Sequence, residues 1–397
     1  MKMDGTIYLD HQATTPVDSE VLEAMMPYFG ASFGNPHSAE HAIGWRAAGA
    51  VERAAAQIAT LIGADSDEII FTSGATEANN AALFGVAKRA ANRQRSRILL
   101  GATEHKCVLE IGRIMERDLG YQVSHIPVDS AGRLDQEWLD SNLGDDVLLV
   151  SIMAVNNEIG TIQDISAIAR KTSHYGCILH CDAAQAPCAT DVSRLARHVD
   201  MMSLSGHKFY GPMGIGALFV SRDLQPNIEP FVYGGGQQNG LRSGTLPTSL
   251  CVGLGHASTQ VTGEKAKVER EALAKRRNRM LDQLLKIPYE VALNGPTDLA
   301  LRHPGNINIR IDGIVAEDLL GRVQPMLAAS TGSACTSGIP EASHVLRAIG
   351  LSDRSASASL RLSLGRNTTD GDVDDAVGII REALDEIHRT RMLQSAN

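Results

Sequence analysis

Several side chains in this chain stand where their type and neighbours could give them chemistry. Lys208 follows an apolar run in SLSGHKFYGPMGIGALFV (203–220). A lysine just past a strand end, flanked by small residues, can be desolvated into a nucleophilic amine that forms a Schiff base with an aldehyde cofactor. A solvated loop lysine is the plainer alternative. Asp182 closes the apolar run in HCDAAQA. There a carboxylate can keep a pyridinium nitrogen protonated so that the ring acts as an electron sink, or it can simply cap a turn. In FTSGATEANN, the residues Gly74, Ala75 and Thr76 open a helix. The N–H groups of that helix end, with the Thr76 hydroxyl, suit a phosphate; an ordinary N-cap would use the same residue types. His105 in ATEHKCVLE follows the strand-like RILL. It is placed either to stack on a flat ring and shuttle protons or to cap the next helix. Asn156 and Asn157 in VNNEIG offer amides to a ring hydroxyl or a substrate, or to a turn. Cys335 sits in STGSACTSG (330–338), too rich in Gly and Ser for a helix interior and too polar for a core strand. It reads as a loop that presents a thiol.

The elements that must position these groups follow from the apolar pattern. Between about residues 65 and 222, the short runs EIIF, RILL, YQVSHIP, VLLVSIMAV, CILHCD, VDMMSLS and GALFVS alternate with helical stretches such as TEANNAALFGVAKRAAN and DISAIARKTSHYG. That alternation predicts an α/β unit with a largely parallel sheet covered on both faces. Ligands gather at the carboxyl edge of such a sheet, and every candidate above except Cys335 falls at a strand end. A phosphate cradle, a carboxylate, an amide, an imidazole and a lysine on one edge together make the set that pyridoxal phosphate requires. A charged amphipathic stretch over 263–287 then predicts a long connecting helix. Beyond it HPGNINIRI, the cysteine loop, SASLRLSLG and a last helix from about 370 to 391 make a smaller α+β unit, with which the first dozen residues are expected to pack.

Composition narrows the alternatives. The 397 residues are 43% hydrophobic and 21% charged, enough for a real core. A net charge of −9 argues against a broad nucleic-acid surface, and no direct nucleic-acid partner is expected. No apolar run reaches membrane length, and the opening MKMDGTIYLDHQATTP has no apolar segment of the secretory kind, so the expected location is cytoplasmic. Six scattered cysteines do not form a disulfide framework. CILHC, with Cys177, His180 and Cys181, has no second ligand pair at zinc spacing, so no metal is expected. No P-loop is present.

Taken together, YLDHQATTPVD, GNPHS, FTSGATEANN, EHKCVLE, VNNEIGTIQDI, SGHKFYGPMGIGAL, RSGTLP, GSACTSG and LRLSLGRNTT resemble the cysteine desulfurases, pyridoxal-phosphate enzymes of the class-V aminotransferase family, over nearly the whole chain. The short SACTSG loop resembles the branch that includes the general iron–sulfur-cluster desulfurases. The resemblance implies a fold-type-I large domain (15–262) with a mainly parallel seven-stranded sheet, and a small α+β domain (1–14 and 263–397) carrying the cysteine loop. It implies Lys208 as the Schiff-base lysine, Asp182 at the pyridine nitrogen, Gln185 at the ring hydroxyl, and His105 stacked on the ring. It implies Thr76, Ser205, His207 and the backbone of Ala75 at the phosphate, with Thr245 reaching the phosphate of a partner subunit in a homodimer. Asn157 and Arg361 would bind L-cysteine, the arginine through the carboxylate. Cys335 would take the substrate sulfur as a persulfide, release alanine, and pass the sulfur to an acceptor protein of iron–sulfur cluster assembly, tRNA thiolation or DNA phosphorothioation. An aminotransferase or a selenocysteine lyase of the same fold would share most of these residues. Two stretches differ from the family pattern. GGGQQNGLRSGTLP stands where relatives usually carry GGGHERG, and EIHRTRMLQSAN lacks the scaffold-docking tail of the general desulfurases, which leads to the expectation of a more specialised acceptor.

Overall fold

Short runs of branched apolar residues form the strands, and small-residue or amphipathic stretches form the helices between them. The computed structural model describes residues 2–90, 94–332 and 342–395. The chain begins with β1 (Lys2–Met3) and β2 (Thr6–Tyr8), then α1 (Ser19–Met25) and α2 (Ala42–Ile62). Next come β3 (Ile69–Thr72), α3 (Ala75–Arg89), β4 (Arg97–Gly101), α4 (Lys106–Leu119), β5 (Gln122–Ile126), α5 (Gln136–Asn142) and β6 (Val147–Ser151). The series continues with α6 (Ile165–His174), β7 (Ile178–Asp182), α7 (Ala186–Ala189), β8 (Met201–Ser205), β9 (Gly216–Val220) and α8 (Thr248–Gln260). The remaining elements are α9 (Gly263–Leu284), β10 (Val291–Leu293), β11 (Asn306–Ile311), α10 (Ala316–Val323), β12 (Leu327–Ala328), α11 (His344–Ala348), α12 (Asp353–Ser357), β13 (Ser359–Ser363) and α13 (Asp370–Ser395). No helix among the described residues is long and apolar enough to cross a membrane.

Strands β3 to β9 form one seven-stranded sheet in the order β3-β9-β8-β7-β6-β4-β5. Only β9 runs against the others, pairing antiparallel with both β3 and β8. Successive side chains of a strand point to opposite faces, and both faces of this sheet are covered. On β4, Leu99 enters a core shared with Ile58 and Ile62 of α2, while Ile98 and Leu100 enter one shared with Leu83 and Val86 of α3. Burying such a side chain contributes roughly 1.5–3 kcal/mol, which is why these strands read as unbroken apolar runs. The expected strand VLLVSIMAV stops at Ser151 as a two-sided strand. Beyond it Ile152 and Ala154 still donate to the carbonyls of His180 and Asp182, so the segment pairs along β7 alone after β4 has ended.

The order reverses between β4 and β6. From β4 the chain steps outward to β5, then returns past β4 to β6 and on to β7, β8 and β9. A crevice opens at such a switch point, outside the carboxyl ends of the strands. His105 follows β4 and Asn157 follows β6, so they flank it.

A second core gathers around the antiparallel sheet β10-β11-β13, packed by α9, α10 and α13. Ile7 and Leu9 belong to this core. The two cores meet at Arg366, just past β13. Its Nη1 donates to Asp18 Oδ2 at 2.8 Å, its guanidinium lies 3.9 Å from the centre of the Tyr210 ring, and its backbone N–H donates to the Tyr210 hydroxyl at 2.7 Å.

The unusual GGGQQNG segment has a structural use. β3 is an edge strand, whose free backbone groups need partners. The Gln238 amide supplies both: Oε1 accepts from the Phe71 N–H at 2.6 Å, and Nε2 donates to the Phe71 carbonyl at 3.0 Å. Gln237 Oε1 accepts from the Gly244 N–H at 2.8 Å. A carboxylate can accept but cannot donate. Gln238→Glu should therefore lower the thermal unfolding midpoint, by an amount corresponding to about 1–2 kcal/mol, whereas Gln238→Asn should lose less; equal midpoints for wild type and Gln238→Glu would contradict this edge-pairing role.

Candidate active site

The loop after β8 carries the lysine. Gly206 to Lys208 make one turn of 3-10 helix, and the turn is tight: a Cβ on Gly206 would lie 2.8 Å from the Pro212 carbonyl. Lys208 Nζ donates to the backbone carbonyls of Gln12 at 2.9 Å and Ala13 at 2.7 Å. Beside it, burial and the neighbouring Lys208 charge lower the His207 pKa to about 4, so the imidazole is neutral at pH 7. His207 Nδ1 lies 3.1 Å from the Thr14 hydroxyl.

Asp182 closes β7 and is 5% exposed. One carboxylate oxygen accepts from the Ala184 N–H at 3.0 Å, the other from Asn79 Nδ2 at 2.8 Å. Asn79 comes from α3 and also reaches Cys107 Sγ at 3.3 Å. Cys107 Sγ in turn lies 3.0 Å from His105 Nδ1. A continuous chain of polar contacts thus runs from Asp182 through Asn79 and Cys107 to His105. His105 is the N-cap of α4, accepting the Cys107 backbone N–H on Nδ1 at 3.2 Å. A backbone N–H can only donate, so Nδ1 presents its lone pair and the ring proton resides on Nε2.

Glu104 lies beneath this pair, 1% exposed, with Oε1 accepting from the Met153 N–H at 2.5 Å and Oε2 buried without a partner. Burial, reinforced by the nearby Asp182 charge, holds its carboxyl well above the usual carboxylate range. Two residues before Asp182 on β7, and so on the same face of the sheet, both ring nitrogens of His180 are held by serines, Ser151 Oγ at 2.8 Å and Ser203 Oγ at 3.1 Å, and burial lowers its pKa to about 4.

The start of α3 is open. No side chain caps it, and Gly74 takes φ 150°, a conformation that disfavours a side chain. A Cβ there would lie 3.8 Å from Ser205 Oγ, so the end of β8 faces the opening of α3. Thr76 is exposed in that first turn and Ser205 is buried. Glu77, which would repel an anion, is taken up elsewhere. Burial pushes its pKa up, but hydrogen bonds from Arg242 (2.8 Å) and Ser73 (2.9 Å) outweigh this and hold it below the usual range. An uncapped end of a 15-residue helix is an anion site. With an amine and a buried carboxylate on the same sheet edge, the arrangement fits a phosphorylated pyridine aldehyde.

Toward the second core, Arg361 on β13 is 2% exposed. Its Nη1 donates to the Asn157 carbonyl at 2.8 Å and its Nη2 to Asp10 Oδ1 at 2.7 Å. Gln185 is buried and donates from Nε2 to the Gln12 carbonyl at 2.8 Å. The structure thus brings Lys208, Gln185, His207 and Arg361 onto one segment, Asp10 to Thr14, and links Asp182 to His105. Ala75 and Thr76 lie at the open end of α3, and Thr245 is exposed on the connection to α8. Cys335 lies outside the described residues. Reading the sequence missed Asp10, Gln12, Asn79 and Glu104. Each is a polar residue beside a recognised one, and only the cluster of polar types in YLDHQATTP and EANN hinted at them.

The comparisons with known proteins agree with this geometry. The family model "Aminotransferase class-V" matches residues 7–375. The cysteine desulfurase IscS of Rickettsia rickettsii (strain Iowa) is 44% identical over 385 residues, covering 96% of this chain and 92% of that protein. A solved NifS-like protein superposes with a TM-score of 0.88 at 32% identity, covering 96% of this chain and 99% of the other. SspA, solved in complex with cysteine, gives a TM-score of 0.79 at 34% identity, with 92% and 100% coverage. The chain belongs to the class-V aminotransferase family, among its pyridoxal-phosphate-dependent cysteine desulfurases.

Proposed function

We propose that the protein takes sulfur from L-cysteine, releases L-alanine, and holds the sulfur as a persulfide on Cys335 for delivery to an acceptor protein. The observation that carries this reading is the sheet edge on which the Lys208 amine, the Asp182 carboxylate and the open end of α3 stand together. When bound there, pyridoxal phosphate supplies an aldehyde that condenses with amines and a protonated ring that takes up electrons from the substrate's α-carbon. Lys208 holds the cofactor and then moves a proton at the α-carbon. Asp182 keeps the ring nitrogen protonated, and its buried position makes the charge effective. Ala75, Thr76, Ser205 and His207 hold the phosphate. Gln185 contacts the ring hydroxyl. His105 stacks on the ring and offers its proton from Nε2.

Arg361 and Asn157 orient the substrate, the guanidinium through the carboxylate. The Cys335 thiolate attacks the substrate sulfur: an S–S bond forms, the C–S bond breaks, its electron pair stays with carbon, and a proton completes alanine. The acceptor belongs to iron–sulfur cluster assembly, tRNA thiolation or DNA phosphorothioation, in the cytoplasm. The large unit is 15–262, and the small unit is 1–14 with 263–397. Large exposed side chains crowd the stretch around α1 and α2, with Met26 56%, Phe29 60%, Phe33 65% and Trp45 61% exposed. Apolar surface of that kind marks an interface and supports a homodimer, in which Thr245 reaches the phosphate of a neighbouring copy.

Mass analysis after treatment with L-cysteine tests the central step. One added sulfur is expected on the Cys335 peptide and none in Lys208→Ala; sulfide release with an unmodified Cys335 peptide would overturn the persulfide. Asp182→Asn is expected to keep the cofactor bound while turnover falls on the order of 10²-fold or more, since a buried charge pair is lost. Glu104→Gln should leave turnover within about threefold, because the amide keeps an oxygen for the Met153 N–H and touches none of the residues assigned to cofactor or substrate. Its stability should change with pH in a definite sense. Unfolded Glu104 ionises above about pH 4.5 while the folded residue holds its proton to higher pH, so ionisation favours the unfolded chain as pH rises. The Gln variant lacks this penalty, and its unfolding midpoint should gain on wild type from pH 5 to pH 8. A constant difference would show that Glu104 is charged in the fold.

A further inference from the structure

Arg361 is already paired before any substrate arrives. Its side chain is 3% exposed and that of Asp10 18%, with Nη2 and Oδ1 2.7 Å apart. A guanidinium buried to that degree is stabilised by a nearby anion, because an uncompensated charge in the interior is costly. Asp10 is that anion. Its Oδ1 also accepts from Ser330 Oγ at 3.1 Å. Ser330 is fixed to the same arginine through the backbone, its carbonyl accepting from Arg361 N at 2.7 Å and its N–H donating to the Arg361 carbonyl at 3.3 Å. The Asn157 carbonyl takes Nη1 at 2.8 Å, and Nε is buried without a partner. Two of the three guanidinium nitrogens are therefore engaged, one by a carboxylate, where the substrate carboxylate has to bind.

We propose that Asp10 is the resident counter-ion of Arg361, in competition with the substrate carboxylate, and so sets the affinity of the site for α-amino acids. This inference rests on the reading of Arg361 as the substrate's carboxylate partner. In the empty site Asp10 neutralises the buried guanidinium. When an amino acid binds, its carboxylate supplies the same charge, and two carboxylates then share one cation and repel each other. Asp10 is the more exposed partner and can turn toward water, whereas Arg361 is held by Asn157 and by its place on β13. A ligand that lacks a carboxylate leaves the Asp10–Arg361 pair intact and meets no competition. Asp10 is thus a specificity-determining residue that lowers affinity for every carboxylate ligand while keeping the arginine in position.

The test uses the cofactor-loaded full-length enzyme with L-cysteine as substrate, L-alanine as a carboxylate-bearing inhibitor and cysteamine as a carboxylate-free one. Asp10→Asn keeps the shape and an oxygen for Ser330 and Arg361 but removes the charge. The KM for L-cysteine and the inhibition constant of L-alanine are expected to fall about tenfold, with kcat changed less than KM and the inhibition constant of cysteamine within about twofold of wild type. Ser330→Ala, which loosens Asp10 without changing charge, should shift the same two constants in the same direction by about twofold, and it serves as the test if Asp10→Asn fails to fold. If Arg361→Ala raises both constants while Asp10→Asn or Ser330→Ala raises them or leaves them unchanged, Asp10 merely orients the arginine and the inference fails while the reading of Arg361 stands. If Arg361→Ala leaves both constants unchanged, that reading fails, and the inference with it.

Discussion

A half-buried ammonium group needs acceptors, and here they come from the far end of the chain. Lys208 Nζ is held by the carbonyls of Gln12 and Ala13. That requirement fixes the N-terminal segment across the carboxyl edge of the large sheet, and much else follows. Once the segment lies there, the Gln12 carbonyl also receives Gln185, Thr14 meets His207, and Asp10 meets Arg361. Ile7 and Leu9, a few residues earlier, are anchored in the second core. The same short stretch therefore positions the lysine and joins the two halves of the protein. Gln12 is further fixed from the second core, where Asn306 Nδ2 donates to its Oε1 at 2.6 Å and Arg302 Nη1 donates to Asn306 Oδ1 at 2.7 Å.

Around that segment the fold controls charge mainly by burial. His180 and His207 are neutral at pH 7, and the Glu104 carboxyl is held well above the usual carboxylate range, because desolvation disfavours their charged forms. Arg361 is paired with Asp10 and Glu77 with Arg242, while Lys208 is held by two carbonyls. Asp182 accepts from neutral donors, Asn79 and the Ala184 N–H, which suits the proposed pairing with a cationic ring. A site with few uncompensated charges in a low-dielectric crevice gives those few a large effect.

Much of this was legible in the sequence, for a physical reason. A parallel strand buried on both faces is a short apolar run, and the polar residues at or within a few positions of its carboxyl end lie at the crevice; Lys208, Asp182, His105 and Asn157 all stand there. The helices α1 and α2 escaped because they precede the first strand of the alternating series, although the Ala-rich α2 has a clear helical period. Asp10, Gln12, Asn79 and Glu104 escaped because nothing local distinguishes them. Asp10 meets an arginine 351 positions away, and no periodicity encodes such a pairing. The QQN segment departs from the family pattern, and nothing in the sequence pointed to its use there, which is that Gln238 completes the edge of a strand.

The capping role of His105 has a consequence for how the protein is loaded. The imidazole is aimed by the first turn of α4, so its tautomer is settled by helix formation and requires no contact with a cofactor. In the role proposed for His105, the apoprotein would already carry its proton donor, and an incoming cofactor would meet a ring already oriented. Reversing the direction of that proton would mean unravelling a helix end, which ties the bookkeeping of a single hydrogen atom to the stability of a backbone turn.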